Sequence, residues 1–322
     1  MLRGFARDAG RLRPADPLTG PLEALVWIDL LDPSREEKTA IEDRLGLDVP
    51  TREEMAEIEL SSRLYMQDGV VYMTAVLPAR ADGDDPVMGP VTFVLAAGRL
   101  ITVRHHAPRV FDSFPARAER APAGCDSGEG VLLGLLEEIV DRLADILEAS
   151  GRDLDALSRS VFRAPDGAGV SRELRATLAS IGRAGDLLSK LRDSLASLER
   201  LLVFLGQAET PGARSKEARD RVKILYRDVR SIADHAGFLS QKVTLLLEAV
   251  VGLVGIEQNG IIKIFSVAAV IFLPPTLVAS IYGMNFAHMP ELGWPWGYPL
   301  ALGLMVLSAL LPYLFFKRRG WL

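Results

Sequence analysis

The chain has 322 residues, of which 49% are hydrophobic and 25% charged, with a net charge of −5. The acidic balance and the lack of any basic-aromatic patch exclude nucleic acid as an expected partner, and a lone cysteine, Cys125, excludes an intrachain disulfide. An ordinary charged fraction beside an apolar excess means that the apolar residues are concentrated somewhere, and they sit near the C-terminus: Ile264 to Ala287 and Leu292 to Phe316 contain no Asp, Glu, Lys or Arg.

In chain order, MLRGFARDAGRLRPADP carries four arginines before residue 14 but no apolar run behind them, so it does not read as a secretory signal, and Asp8 and Asp16 argue against a transit peptide. Residues 22–32 (LEALVWIDLLD) read as a buried strand. Ser34 followed by Glu37 is a capping box that opens a helix to Leu45, and Thr51 with Glu54 opens a shorter one. SRLYMQ and VVYMTAVL flank Asp68-Gly69 as a hairpin, and PVTFVLAAG and RLITVRHH meet near Gly98. Residues 1–105 are thus expected to form a mixed α/β domain with a largely antiparallel sheet. His105 and His106 end the last strand on opposite faces, which argues against a shared metal.

After the Pro/Gly/Ser-rich stretch 121–130, apolar residues recur at the helical period over 131–162. RAPDGAGVS breaks that helix, and Ser171 can cap a second one to about Gly206. A break at ETPGA precedes a third pattern, starting near Arg214 and running without proline to Pro274. One helix to Tyr282 would have nearly 70 residues and measure about 100 Å at about 1.5 Å per residue; the alternative is two helices hinged at Gly252 or Gly255. The short breaks predict antiparallel neighbours. The expected division is 1–125, an α/β domain; 126–258, a helical region and stalk; and 259–322, a membrane region with spans at about 261–282 and 297–316.

A span needs roughly 20 apolar residues to cross a ~30 Å hydrocarbon core, and both C-terminal runs qualify. Lys317, Arg318 and Arg319 follow the second run and Lys263 opens the first, whereas Ala287 to Gly297 holds no Lys or Arg. The positive-inside rule then puts both termini in the cytoplasm. Trp294, Trp296 and Tyr298 mark the outer interface, and Trp321 the inner one.

The first span ends in Tyr282-Gly283-Met284-Asn285-Phe286; Met289-Pro290-Glu291-Leu292 follows, and the sequence closes on Lys-Arg-Arg-Gly-Trp-Leu. These residues, at these spacings, resemble the CorA family of divalent-cation channels. The close likeness covers roughly 226–322; the N-terminal region shares the architecture and motifs such as Trp27-Ile28-Asp29. The resemblance implies an α/β cytoplasmic domain with a long-helix stalk and two C-terminal transmembrane helices, assembled as a funnel-shaped homopentamer. It also implies Mg²⁺ as both transported ion and cytosolic regulator, with no organic cofactor. A bacterial inner membrane would be the location.

The residues carry a physical logic of their own. Two spans cannot enclose a pore, so a channel must be a ring of subunits. Mg²⁺ dehydrates reluctantly, and a ring of neutral Asn285 amides can hold it through its waters without binding it too tightly to leave. Gly283 allows close backbone approach or a positive φ at the helix end. Stepping back from Asn285 at helical spacing gives Ser280, Thr276, Leu273, Ala269, Ser266 or Phe265, Ile262 and Asn259. Resemblance assigns Asn259 and Thr276 to the pore; the apolar middle of this row would stop ions by dewetting. Thr276 has a plainer alternative, a hydroxyl bonded back to its own helix. Pro274-Pro275 is expected to bend the helix.

Candidate regulatory metal ligands are Asp220, Asp228, Asp234 and Glu248, because acidic subunits repel and divalent ions between them offset that repulsion. The family's stalk aspartate falls on Ile224, and Asp82, Asp84 and Asp85 form an acidic loop that reads more simply as a solvated turn. His288 beside Gly-Met-Asn could favour Zn²⁺ or Co²⁺, but it reads more simply as an outer-loop histidine. No Walker loop, metalloprotease helix or catalytic triad is visible, so an enzyme is not expected. Two rival readings remain: a ZntB-like zinc transporter, for which Gly-Val-Asn in place of Gly-Met-Asn would be typical, and a non-conducting membrane scaffold or sensor.

Overall fold

The computed structural model describes residues 1–57, 59–79, 86–162, 170–208, 215–285 and 289–321. They divide into two compact units, Met1–Leu247 and Glu248–Leu322.

The N-terminal unit is built on a seven-stranded sheet of order β2-β1-β3-β7-β6-β5-β4. Its strands are β1 (Leu2–Asp8), β2 (Arg11–Ala15), β3 (Leu25–Leu31), β4 (Leu64–Gln67), β5 (Val70–Ala79), β6 (Val87–Ala96) and β7 (Arg99–Arg104). Every pairing is antiparallel except β3 with β7, so the expected antiparallel character holds. Ala9-Gly10, Asp68-Gly69 and Ala97-Gly98 all have two successive positive φ values, the geometry of two-residue hairpin turns that match strand twist. The first of these makes the β1–β2 hairpin, an element beyond those expected from the sequence.

Helices α1 (Arg35–Leu45) and α2 (Arg52–Ala56) open on complete capping boxes at Ser34/Glu37 and Thr51/Glu54, as the sequence predicts. Together they cover one sheet face, where Ile28, Leu30, Ile41, Val49, Met55, Val94, Ile101 and Val103 are buried as one cluster. A short α3 (Leu60–Arg63) leads into β4. The opposite face carries α4 (Val110–Arg120), α5 (Gly128–Phe162) and α6 (Val170–Gln207). There Trp27 stacks on Phe5 at 4.7 Å and meets Phe114 edge-on at 6.0 Å. Gly128 lets α5 start against the sheet: a Cβ there would lie 2.2 Å from the Arg99 carbonyl carbon. Helix α4 was not foreseen, because Pro115 in its middle reads as a breaker while Phe111, Phe114 and Ala118 are its buried row.

Asp29 lies fully buried in the otherwise apolar strand β3. It accepts hydrogen bonds from Arg104 (Nε 3.0 Å, Nη2 2.8 Å), Arg3 (Nη2 2.8 Å) and Thr102 (2.8 Å), and Thr102 in turn accepts from the Trp27 indole at 3.0 Å. A buried carboxylate is tolerated only with such partners. The Trp27-Ile28-Asp29 motif is therefore a packing and ion-pair node.

Helix α7 (Lys216–Tyr282) is unbroken through 67 residues, Gly252, Gly255 and Pro274-Pro275 included, so the hinged alternative fails. Within the N-terminal unit, Arg221 pairs with Glu137 at 2.9 Å, and Lys242 with Asp155, so α7 runs parallel to α5. Tyr226 donates to Glu199 at 3.3 Å, and a Cβ on Gly185 would touch Val243 at 3.3 Å, so α6 runs antiparallel to α7. Consecutive helices thus alternate in direction, as their short connections predict. The start of α6 corrects a detail: the helix already includes Val170, so Ser171 lies inside it rather than at its cap.

Candidate ion pathway and membrane spans

Among the described residues two helices are long and apolar enough to cross a membrane, α7 in its C-terminal part and α8 (Gly297–Arg318), and only 6% of the most apolar window of each is buried. Between them, Pro290–Gly293 forms a 3-10 turn. The exposed aromatic side chains Trp294, Trp296 and Tyr298 cluster where α8 begins, as interfacial anchors do.

The predicted row on α7 is exposed along its whole length: Asn259, Ile262, Phe265, Ser266, Ala269, Leu273, Thr276 and Ser280. Nothing among the described residues buries it, although the same is true of most of the span. Thr276 is exposed, and its hydroxyl donates back to the Phe272 carbonyl at 2.7 Å, the plainer of its two expected roles. The prolines at 274 and 275 remove two backbone donors, yet the helix continues to Tyr282.

Gly283, Met284 and Asn285 end the helix in the open: Gly283 N–H donates to Ala279 at 3.0 Å, and Met284 N–H to Ile281 at 3.3 Å. All three are exposed. Of the two expected uses of Gly283, positive φ falls away, because it is not among the glycines with positive φ. Its hydrogen atom matters for space instead: a Cβ would sit 3.0 Å from the Ala279 carbonyl oxygen. Met289 is half-buried and Pro290 exposed. Glu291 and Leu292 lie in the 3-10 turn, their side chains outside the described residues, as is His288.

At the other end of the spans the basic residues gather onto aromatic rings. Lys317 lies 5.9 Å from the Tyr313 centroid, Arg319 5.3 Å from Phe315, and Lys263 5.2 Å from Trp321. Arg318 is exposed.

The candidate regulatory acids are not brought together. Asp220, Asp228 and Asp234 stand exposed on α7 in the N-terminal unit, Asp220 pairing with Lys223 at 3.5 Å, and Glu248 is exposed in the C-terminal unit. Among the described residues no three His, Cys, Asp or Glu side chains could hold a metal together. Ile224, where the family's aspartate would fall, is an exposed apolar residue. Asp82, Asp84 and Asp85 lie outside the described residues. The adjacent histidines part as expected: His105 Nδ1 donates to Asp32 at 3.0 Å and His106 Nε2 to the Leu77 carbonyl at 3.0 Å. The His105 bond holds the Asp32 carboxyl below its usual range, and burial pushes His106 down.

Residues 23–318 match the family described as CorA-like Mg²⁺ transporter protein. The chain is 38% identical to the magnesium transport protein CorA of Pasteurella multocida, with 100% of each chain covered. Among solved structures it is similar to the CorA magnesium transporter of Methanocaldococcus jannaschii, with a TM-score of 0.82, 21% identity, and 100% and 99% of the two chains covered. It resembles the ZntB cytoplasmic domain of Vibrio parahaemolyticus more remotely, with a TM-score of 0.57, 14% identity, and 77% and 95% covered.

Proposed function

Because the chain belongs to the family of CorA-like Mg²⁺ transporters, we propose that it carries Mg²⁺ passively into the cytoplasm, through a pore lined by α7 in a ring of identical subunits. It is an integral membrane protein with two spanning helices. The observation that carries the reading is the Gly283-Met284-Asn285 terminus, exposed at the end of a spanning helix whose polar and apolar row is likewise exposed among the described residues. A ring of five such termini would offer five neutral amide oxygens to the waters of a hydrated divalent ion. Ile262, Phe265, Ala269 and Leu273 would form the apolar constriction that closes by dewetting.

Moving one charge through 100 mV is worth about 2.3 kcal/mol, so a divalent cation gains about 4.6 kcal/mol from an inside-negative potential and needs no chemical fuel. The basic cluster of Lys263, Lys317, Arg318 and Arg319 supports a cytoplasmic location for both termini, and the inner membrane of a bacterium fits that orientation. Cytosolic Mg²⁺ as regulator would act between neighbouring subunits, with Asp220, Asp228, Asp234 and Glu248 as candidate ligands. Co²⁺ and Ni²⁺ are further candidate ions.

The test is reconstitution into liposomes that contain a Mg²⁺ dye and a Zn²⁺ dye. Asn285→Ala is expected to abolish Mg²⁺ influx driven by an imposed potential. Unchanged Mg²⁺ influx in that variant would sink the pore assignment. Zn²⁺ flux that follows a proton gradient, without Mg²⁺ flux, would support the zinc-transporter reading instead.

A further inference from the structure

Helix α8 ends in a way that reaches its neighbour. Gly320 adopts a left-handed φ of +67°; its N–H donates to the Lys317 carbonyl at 3.2 Å, and the Trp321 N–H to Phe316 at 3.0 Å. This double bond pattern is the Schellman cap, and its usual companion, an apolar contact across the cap, is present as Trp321 stacked on Phe316 at 5.4 Å. The cap turns the Gly320 carbonyl and the Trp321 ring toward α7. Lys263 of α7 donates to that carbonyl at 3.3 Å, with its ammonium 5.2 Å from the centre of that ring. Lys317 and Arg319 sit over rings of their own helix, whereas Lys263 crosses from one helix to the other.

We propose that Lys263 and Trp321 form a clasp that positions the inner end of α7 so that its apolar constriction seals. The inference rests on the reading of α7 as pore lining. Lys263 follows Ile262 directly and precedes Phe265 by two residues, and a helix turns by about 100° per residue. Tying Lys263 to the end of α8 therefore fixes the rotation of α7 about its own axis at the constriction, and with it the direction in which Ile262 and Phe265 are presented. Both members of the clasp are positioning residues that touch no ion. Free of it, α7 can turn, and the apolar ring loses its register and its seal against water.

The experiment uses the full chain in liposomes at zero and at imposed potential. Trp321→Ala and Lys263→Gln are expected to raise Mg²⁺ leak about threefold to tenfold, the scale on which a lost cation–π contact shifts an equilibrium. Trp321→Phe and Lys263→Arg keep a ring and a cation and should stay within about twofold of wild type. The double variant Lys263→Gln/Trp321→Ala should leak no more than the stronger single one, because both remove one contact. Ile264→Cys in a Cys125→Ser background reports the rotation, and Trp321→Ala should raise its labelling by a charged thiol reagent about threefold, with no such rise in Trp321→Phe. If Trp321→Ala does not reach the membrane, Lys263→Gln tests the same contact from the other helix. Wild-type leak and labelling in these variants, or single effects that simply add, would overturn the clasp. If Asn285→Ala still abolishes influx in that case, the clasp alone falls; if it does not, the pore reading falls as well.

Discussion

The two units of this chain handle apolar surface in opposite ways. In the N-terminal unit Trp27, Ile28 and Leu30 of β3 and Leu100, Ile101 and Val103 of β7 are fully buried, and even a charge, Asp29, is enclosed beside the buried Arg104. In the C-terminal unit, residues of the same type, such as Phe265, Phe272 and Val306, are 65–72% exposed. The first unit encloses the core of its sheet within the chain, though Ile224, Phe238 and Leu245 on α7 stay exposed. The second leaves its apolar surface exposed along both apolar helices, and the row that bears Asn259, Thr276, Ser280 and Asn285 is exposed with it.

The largest expected effect lies in the enclosed unit. Asp29→Ala would strand the fully buried Arg104 and the partly buried Arg3 without their carboxylate. Breaking a buried pair from one side typically costs about 3–5 kcal/mol, so chemical unfolding should show a loss of that order. A loss below about 1 kcal/mol would mean that water reaches the arginines and that the unit is less closed than its packing implies.

A second substitution pair sets the two units against each other directly. Val306 in α8 and Val87 in β6 are both exposed, so exposure alone predicts the same tolerance to charge. Val306→Arg should instead oppose membrane insertion by about 2.5–3.5 kcal/mol, whereas Val87→Arg should change stability by about 0.5 kcal/mol or less. Glycosylation-site or protease mapping of insertion, with unfolding measured alongside, reads both. Equal effects at the two positions would erase the distinction.

Much of this contrast can be read in the sequence, and the parts that cannot share one cause. Both capping boxes, the Asp68-Gly69 hairpin and the long helix are encoded within a few residues of where they act, and the uncharged runs announce the spans by length alone. The β1–β2 hairpin escaped because its strands are rich in arginine, with Phe5 and Leu12 as their buried anchors. The partners of Asp29 escaped because Thr102 and Arg104 are 73 and 75 residues away and meet it only through the parallel pairing of β3 and β7. At the candidate site, Gly-Met-Asn is contiguous and legible, while the close approach of Gly283 to the Ala279 carbonyl shows only in the fold. The Lys263–Trp321 contact spans two helices and left no local trace in the sequence.

The smallest effect concerns pH, and it tests the enclosed unit at its rim. His106 packs on Gly89, where a Cβ would lie 2.7 Å from its Nδ1, and its Nε2 donates to Leu77. Burial is the main cause that lowers its pKa below 6.5, and the nearby charges of Arg104 and His105 act in the same direction, against the Leu77 bond. Between the folded and unfolded pKa values the unfolded chain binds more protons, so stability rises with pH there. The contribution is complete above about 6.5 and is lost as pH falls from 6.5 through the folded value. Asp32, which faces His105, is held below 3.8, and its own contribution is lost only at more acid pH. Thermal unfolding of the full chain in detergent between pH 8 and pH 5 should therefore fall more steeply for wild type than for His106→Gln. Parallel curves would show that the imidazole takes up its proton as easily in the folded unit as in the open chain, and that the seal around the sheet ends before it reaches His106.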